Sequence, residues 1–542
     1  MVDLNRSARL MGALTVVSRL TGFARVVVFA AVFQKSYLAN TYISSNTVPN
    51  ILFELFAAGA LQAVLVPTMV RLMPSAGESS GPDSGGRDRL REAEHVAGTV
   101  LGLLCGLLSL LAVVAVALGP TLMRMLTGDV ADAEVRAAEV ELGALFLWFF
   151  MPQLVFYGAN VVATAVLNAR NRFAIPVFAP TLNNVVVIAA YLWFDAVHDG
   201  PLTLDLTSGE TWIVAGGTTL GVVVFCALPV AAVWRDGFRL VPRFDWRHPA
   251  IASLLREGAW AGVFLALTQV VQVVVIKLAN REPGAATIYQ FAFILFTLPH
   301  ALFSVPIMTT RFPEMSRAAH ELDWAGYRRT VGLATRSISY MALAATAVSI
   351  AVAEPGARLL TFGNASRFAP EIAEATIAFA PGIVGFGLLL MFTRAMYATS
   401  DARSPAIVNL VVVVVTSVAM LIAAPRLDGR HLVTGLAAAV AFGNLVGAIG
   451  LGAVVQRRVT ALGGGSLAAT GAVARCIAAA AVAATAGLVS SGFVGYESKP
   501  VAVASLAVGA VVALVVFVSA NWAIGGPSPR LALSTLGAGV ER

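Results

Sequence analysis

Fourteen long apolar segments, separated by short polar stretches, constrain the fold of this chain more than any other feature. Each has at least the roughly 20 residues that an α-helix needs to cross the hydrocarbon core of a bilayer. A soluble protein of 542 residues would need a polar surface, but only 12% of this chain is charged and 58% is apolar. The sequence therefore predicts an all-α, polytopic membrane protein with about 14 transmembrane helices.

The predicted spans follow one another along the whole chain. Pro49 predicts a bend or break in the long second span, because proline removes a backbone donor and clashes with the preceding turn. The segments lie near residues 8–34, 37–70, 96–120, 143–168, 173–195, 211–234, 252–279, 286–311, 330–353, 372–398, 405–424, 432–455, 468–491 and 500–523.

Arginine-rich loops alternate with loops that are acidic or weakly charged. The turns at 170–172 and 235–247 are basic, whereas the loops near 127–141 and 196–210 are mostly acidic. Since cytoplasmic loops of membrane proteins carry the excess of Arg and Lys, this alternation predicts that both termini are cytoplasmic.

Weak internal similarity predicts two halves of six helices each. AVLNARNRFAIP and AMYATSDARSP both run from a helix end through a basic turn to a proline, and Pro176 and Pro405 are 229 residues apart. Such symmetry is typical of transporters, whose substrate sites lie between the halves. The predicted divisions are an N-terminal lobe at 1–240 with a cytoplasmic loop at 71–95, a C-terminal lobe at 241–460, two further helices at 461–525 and a short cytoplasmic tail at 526–542.

Two arginines, Arg19 and Arg25, lie inside the first apolar segment. A charge at that depth costs a few kcal/mol, so it is a functional candidate by default. On a helix the two residues lie about 120° apart around the axis and about 9 Å apart along it. We predict that they face a water-filled cavity and hold a diphosphate through bidentate hydrogen bonds. The alternative is that either side chain extends to the membrane surface.

The second apolar segment carries a polar stripe, in which Asn46, Asn50 and Glu54 recur every fourth residue. A polar stripe facing lipid is untenable, so it is expected to face a cavity. We predict that Asn40, Asn46 and Asn50 line the path of a ligand headgroup and that Glu54 pairs with an arginine of the first helix. Hydrogen bonding between neighbouring helices is the alternative.

Signatures of enzymes and of nucleic-acid binding are missing from the sequence. It contains no H-E-x-x-H or P-loop motif, and no basic run is interleaved with aromatic residues. Its three cysteines, Cys105, Cys226 and Cys476, lie in apolar segments and do not form a disulfide or metal-binding pattern. We predict a protein that is not an enzyme, has no cofactor or metal and binds no nucleic acid. The scarcity of acidic residues within the spans argues against a proton relay.

Three motifs resemble the MurJ/MviN family, the lipid II flippases of the multidrug/oligosaccharidyl-lipid/polysaccharide exporter superfamily. They are SRLTGFAR (18–25), TVPNILFELFAAGALQAVLVP (47–67) and MFTRAMYATSDARSP (391–405). The resemblance implies alternating access around a cavity between two lobes, which carries the lipid-linked precursor of peptidoglycan across the bacterial plasma membrane. It matches the functional arginines of the family to Arg19 and Arg25. It also implies lipid II and membrane lipids as partners, together with proteins of cell-wall synthesis.

Several positions differ from the family pattern. Val26 stands where many members have an acidic residue, and Phe53 stands where they have an arginine. These differences leave two alternatives open. One is a flippase for another undecaprenyl-linked glycan, or an exporter of the same superfamily; the other is a non-transporting membrane scaffold for cell-wall enzymes.

Overall fold

The computed structural model describes residues 4–55, 59–73, 84–245, 249–463, 465–467 and 469–529, and all regular secondary structure among them is helical. Among these described residues, twelve helices are long and apolar enough to cross a membrane, and the count is thirteen if the pair Ala365–Phe379 and Gly382–Ala398, bent by 46°, is taken as one span. The predicted all-α membrane fold is therefore confirmed. The segment predicted at 37–70 contains residues 56–58, which lie outside the described ranges, so a count of 14 stays a prediction.

The chain divides into two compact units, Met1–Gln269 and Val270–Arg542. The last helix of the first unit continues into the second. The helices that begin in the first unit are α1 (Leu4–Phe33), α2 (Tyr37–Phe53), α3 (Gly59–Leu72), α4 (Ser84–Ala117), α5 (Gly119–Thr127), α6 (Ala133–Phe150), α7 (Gln153–Ala169), α8 (Ala174–Val197), α9 (Ser208–Thr211), α10 (Gly217–Arg235) and α11 (Pro249–Ala279).

The second unit ends with two helices that pack against each other and have no counterpart in the first unit. These two helices, α20 and α21, come last in the list that follows. The helices are α12 (Ala285–Pro299), α13 (Val305–His320), α14 (Trp324–Ala351), α15 (Ala353–Leu360), α16 (Ala369–Phe379), α17 (Gly382–Ala398), α18 (Arg403–Ala423), α19 (Arg430–Ala461), α20 (Thr470–Val494) and α21 (Lys499–Ala523).

The same succession of elements occurs in both units. A π-helical turn follows α2 at 54–55, and another, His300–Ser304, joins α12 to α13. Left-handed backbone follows α7 at Asn171, with φ 58°, and α17 at Ser400, with φ 60°. These two residues are 229 apart in the sequence, the offset found between the two proline-containing motifs. The two-lobe architecture with an appended helix pair agrees with that repeat.

Two of the predicted loops are shorter than expected. The prediction of an acidic loop near 127–141 is wrong from residue 133 onward, because α6 begins there. The Asp132 side chain caps this helix, with Oδ1 accepting hydrogen bonds from the backbone N–H of Glu134 at 2.8 Å and of Val135 at 3.2 Å. The loop predicted at 71–95 is likewise helical from Ser84, since its Arg, Glu and Leu residues are strong helix formers.

Large apolar side chains cover the exterior of the spans. Phe493 is 88% exposed, Trp522 81% and Ile449 73%. Soluble monomers seldom expose apolar surface on this scale, so these faces are suited to contact with lipid.

Two helices of the second unit approach each other closely at a glycine. A Cβ atom added to Gly385 of α17 would lie 2.8 Å from the backbone C of Asn444 and 2.8 Å from the backbone N of Leu445, both in α19. Only glycine permits this contact between two backbones without displacement, which is how small residues bring helices together in membranes.

Asp401 secures the turn between α17 and α18. Its Oδ1 accepts a hydrogen bond from the Ser404 backbone N–H at 2.9 Å, and its Oδ2 accepts one from the Ser404 hydroxyl at 2.8 Å. Partial burial raises the pKa of Asp401, but these bonds and the nearby Arg458 outweigh that effect and hold the pKa below its usual range.

We expect Asp401→Ala to lower the thermal stability of the detergent-purified protein by about 0.5–2 kcal/mol at neutral pH, as for the loss of other helix caps. A carboxyl whose pKa is depressed by folding stabilises the folded state above its unfolded pKa of about 3.9, and this contribution is lost as the pH falls through the folded value. Thermal melts should therefore show a gap in melting temperature between wild type and variant at a pH above the unfolded pKa. This gap should close at a pH below the folded pKa. A gap of the same size at both pH values would contradict this interpretation.

Candidate functional site

Arg19 and Arg25 lie on one continuous helix, α1. The Arg19 side chain is exposed and that of Arg25 is half-buried. Neither guanidinium makes a hydrogen bond or ion pair with another described residue. Gly22 lies between them, and the two arginines project about 60° to either side of it. Both cations are therefore available to an anionic ligand.

The packing of α1 against α8 determines which way these arginines point. The Asn184 amide Nδ2 of α8 donates a hydrogen bond to Thr21 Oγ1 at 3.2 Å. The same nitrogen lies 3.5 Å from the position that a Cβ on Gly22 would occupy. Thr21 and Gly22 thus lie on the side of α1 that faces α8. Arg25 projects between them on that same side and is half-buried, whereas Arg19 lies about 60° beyond Gly22 and is exposed.

An aromatic cluster fixes the end of α1 that follows Arg25. Phe33 stacks on Phe194 of α8, with ring centroids 5.4 Å apart, and its ring edge meets Tyr191 at 5.3 Å. Tyr42 of α2 joins the cluster, since its hydroxyl lies 2.7 Å from that of Tyr191. The cluster therefore holds α1, α2 and α8 together beside Arg25.

The polar stripe predicted on α2 is present over two of its helical turns. Asn46 is half-buried and Asn50 is exposed. The Asn50 amide Nδ2 donates hydrogen bonds to Asn46 O at 2.9 Å and to Asn46 Oδ1 at 3.2 Å. Glu54, half-buried, follows on the same face. No ion pair between Glu54 and Arg19 or Arg25 occurs among the described residues, so the expected pairing is absent in this conformation.

Asn40 lies apart from the stripe. Its side chain is fully buried, and six residues of helix place it on a different side of α2 from Asn46. It is inaccessible to a ligand in this conformation. Pro49 does not end the helix, because α2 continues to Phe53 and the π turn follows at 54–55.

Sequence reasoning missed Glu139 of α6, which it placed in a loop. Glu139 is fully buried, and no other Asp or Glu is buried in the part of the chain that the structure describes. Its Oε1 lies 3.2 Å from the Thr41 hydroxyl. A signal was present: Leu142, Phe146 and Phe150, all buried, follow Glu139 at helical spacing on one face. A fully buried carboxyl is therefore present in a helix of the first unit, and the scarcity of acidic residues does not exclude a proton relay.

The chemistry of the accessible residues suits non-covalent binding. Guanidinium groups bind phosphate oxygens in a bidentate manner, and amides donate to and accept from sugar and peptide groups. Arg19, Arg25, Asn46 and Asn50 thus offer cationic and neutral polar contacts on two helices of the first unit. This combination suits a ligand that joins a phosphate to an uncharged polar headgroup.

Comparison with known proteins relates the chain to one family along most of its length. The family model described as Lipid II flippase MurJ matches residues 29–512. The Lipid II flippase MurJ of Burkholderia cenocepacia is 25% identical over 462 residues, covering 83% of this chain and 84% of that protein. The matched range begins after Arg19 and Arg25, so the interpretation of these two residues depends on the SRLTGFAR motif and on their exposure.

Solved structures share the fold. A lipid II flippase MurJ in an inward closed conformation matches with a TM-score of 0.72 at 15% identity, covering 95% of this chain and 99% of that one. An inward-facing multidrug resistance MATE family transporter of the MOP superfamily matches with a TM-score of 0.64 at 15% identity, covering 84% of this chain and 99% of that one. At this level of identity, both likenesses show a common fold.

Proposed function

The chain belongs to the lipid II flippase MurJ family, and we propose that it moves lipid II from the inner to the outer leaflet of the bacterial plasma membrane by alternating access. The observation that carries this proposal is the family match over residues 29–512. A flippase makes and breaks no covalent bond, and the protein is accordingly a transporter rather than an enzyme. Its biological role is to supply the precursor for peptidoglycan and cell-wall synthesis.

Each accessible residue of the candidate site has a role in this proposal. Arg19 and Arg25 bind the diphosphate, because their guanidiniums are free of protein partners among the described residues. Asn46, Asn50 and Glu54 line the path of the sugar and peptide headgroup, while the lipid tail stays in the bilayer. Asn40 contributes to the path only in a conformation that uncovers the first turns of α2.

The protein is a multi-pass membrane protein, and the arginine-rich loops support placing both termini in the cytoplasm. The arrangement 1–240, 241–460, 461–525 and 526–542 stays our proposal for the functional divisions of the chain. Proteins of cell-wall synthesis are proposed as partners, since the flipped precursor must be delivered to them.

The shared fold with the MATE transporter keeps a second candidate open. It is transport of another undecaprenyl-linked glycan, or export of a smaller solute, through the same architecture. A scaffold for cell-wall enzymes that transports nothing is a third. The cationic residues on α1 favour a diphosphate-linked lipid over an uncharged solute.

We expect the full-length chain to restore growth and lipid II display at the outer surface when it is expressed in a bacterium depleted of its own lipid II flippase. Purified protein in liposomes should also flip fluorescent lipid II faster than it flips an undecaprenyl-diphosphate glycan that lacks the peptide. Depleted cells that carry an empty vector and liposomes without protein are the negative controls. Membrane-inserted protein that restores neither growth nor display would reject the lipid II assignment, and preference for the other glycan would support the second candidate.

A further inference from the structure

A polar seam joins α2 to α6 in the first unit. Thr41 and Ser45 lie one turn apart on α2 and face Glu139 and Gly143, which lie one turn apart on α6. The Thr41 hydroxyl lies 3.2 Å from Glu139 Oε1, and the Ser45 hydroxyl lies 3.2 Å from Gly143 O. A Cβ on Gly143 would clash with the Met123 side chain of α5, so the glycine leaves room for that side chain beside the seam.

The Glu139 carboxyl has too few donors around it for a carboxylate. Its Oε2 is buried without a hydrogen-bond partner, and the whole side chain is fully buried. Burying an ionised carboxylate requires a paired charge or several hydrogen bonds, because it loses its hydration. Thr41 is the one group in the described residues that reaches it, and no cation does.

The geometry around Thr41 favours a neutral carboxyl. Its Oγ1 lies 2.9 Å from Tyr37 O and 3.2 Å from Glu139 Oε1. A hydroxyl has one hydrogen and two lone pairs, so it cannot donate fully to both oxygens. The shorter contact is the one to Tyr37 O. When the Thr41 hydroxyl donates to Tyr37 O, a protonated Glu139 carboxyl can donate to Thr41 Oγ1. Both the Thr41 and the Glu139 O–H groups then make a hydrogen bond.

Among the described residues, no cation on the surrounding helices pairs with Glu139 to stabilise its ionised form. The helices packed against α6 are α2, α4, α5, α7 and α10 together with the π turn Trp212–Gly216. The Arg124 guanidinium of α5 bonds to Pro120 O, and Arg136 of α6 bonds to Val130 O. The Tyr42 hydroxyl bonds to Tyr191 and Thr218. The other described titratable groups on or beside these elements form no hydrogen bond or ion pair with Glu139; they are Lys35, Tyr37, Glu54, Asp88, Arg89, Arg91, Glu92, Glu94, His95, Cys105, Asp129, Asp132, Glu134, Glu141, Tyr157, Arg170, Glu210, Cys226, Arg235 and Asp236.

We propose that Glu139 is a proton-binding site, that it holds a proton in the conformation described here, and that separation of α2 from α6 exposes it to water and releases the proton. The helix that carries its partner Thr41 also carries Asn46 and Asn50 of the candidate substrate path, so movement of α2 links the proton to the ligand. The step moves one proton between Glu139 and water and changes no other bond. The link to lipid movement rests on the proposed function; the proton site itself does not.

Infrared difference spectroscopy of the purified full-length protein tests the site without any transport. A neutral carboxyl has a C=O stretch that a carboxylate lacks and that shifts in D₂O. We expect this band in wild type and in Glu141→Gln, a control at an exposed glutamate two residues along α6. Glu139→Gln should remove the band, and Thr41→Val should shift it by removing the hydrogen bond. An unchanged band in Glu139→Gln, or its absence from wild type, would overturn the proposal.

Flipping in liposomes tests the link to transport. With the same pH on both sides, we expect the wild-type rate of lipid II flipping to change by up to about tenfold per pH unit, the limit for a conformational equilibrium linked to one proton. Glu139→Gln should give a rate independent of pH, while Glu141→Gln should keep the wild-type profile. A wild-type profile in Glu139→Gln would reject the link. Absence of flipping at every pH with the infrared band intact would reject the lipid II function and support the proton site.

Discussion

Lipid II flipping is expected to fall by at least about tenfold when Arg19 and Arg25 are both replaced by alanine, because a hydrogen bond to a charged group contributes roughly 1.5–3 kcal/mol. Both guanidiniums are left unpaired by the described residues, so the substitutions remove binding groups without breaking internal contacts. The protein should therefore fold and insert normally. Flipping of fluorescent lipid II in liposomes, with matched protein amounts, measures the effect.

Substitution with lysine separates charge from geometry at these positions. Arg19→Lys with Arg25→Lys keeps both charges but loses the bidentate fork, so we expect flipping between that of wild type and that of the alanine variant. Arg124→Ala is the control, since this exposed arginine of the same unit bonds only to its own helix through Pro120 and Thr121. Wild-type flipping in the double alanine variant would reject the role of the arginines while leaving the family assignment intact.

Gly385→Ala is expected to destabilise the second unit by about 1–3 kcal/mol, the usual cost of forcing a methyl group into a packed contact. The new Cβ would lie 2.8 Å from backbone atoms of Asn444 and Leu445, and two helix backbones cannot yield as a flexible side chain does. α17 and α19 must then move apart along their contact. The melting temperature of the detergent-purified protein should fall, with loss of folded protein during size-exclusion chromatography.

Gly450→Ala in α19 is the matched control for this prediction. A Cβ at that position would lie 3.7 Å from Val408 Cγ1, an ordinary van der Waals contact. Alanine also favours the helix over glycine by about 1 kcal/mol, so this variant should match or exceed wild-type stability. Equal melting temperatures for the two variants would show that the α17–α19 contact is looser than the structure indicates.

The membrane spans could be predicted well from the sequence, because a helix surrounded by lipid must be apolar over the roughly 20 residues that cross the bilayer. The segment predicted at 173–195, for example, forms helix Ala174–Val197. The two halves could also be detected, since Pro176 and Pro405 preserve an offset that the left-handed residues Asn171 and Ser400 share. The π turns carry no comparable pattern, because they depend on the packing of the neighbouring helices.

Burial of individual polar residues could not be predicted in the same way. Glu139 and Asn40 are both fully buried, although one was assigned to a loop and the other to a ligand path. Helical spacing says which residues share a face, but the partner of each face is set by tertiary packing. Arg19 is exposed and Arg25 is half-buried, and their role in binding an anion stays a prediction.

The internal hydrogen bond between Asn50 and Asn46 has a kinetic consequence. A headgroup that binds to this stripe must compete with the bonds that the Asn50 amide already donates to Asn46 O at 2.9 Å and to Asn46 Oδ1 at 3.2 Å. Exchanging one neutral hydrogen bond for another yields little net affinity, so we expect a headgroup bound to α2 to have a short residence time there. A carrier gains turnover from such loose contact. Recognition of the cargo can then depend mainly on the proposed binding of its diphosphate by Arg19 and Arg25. The variable part of the cargo can leave without a large barrier.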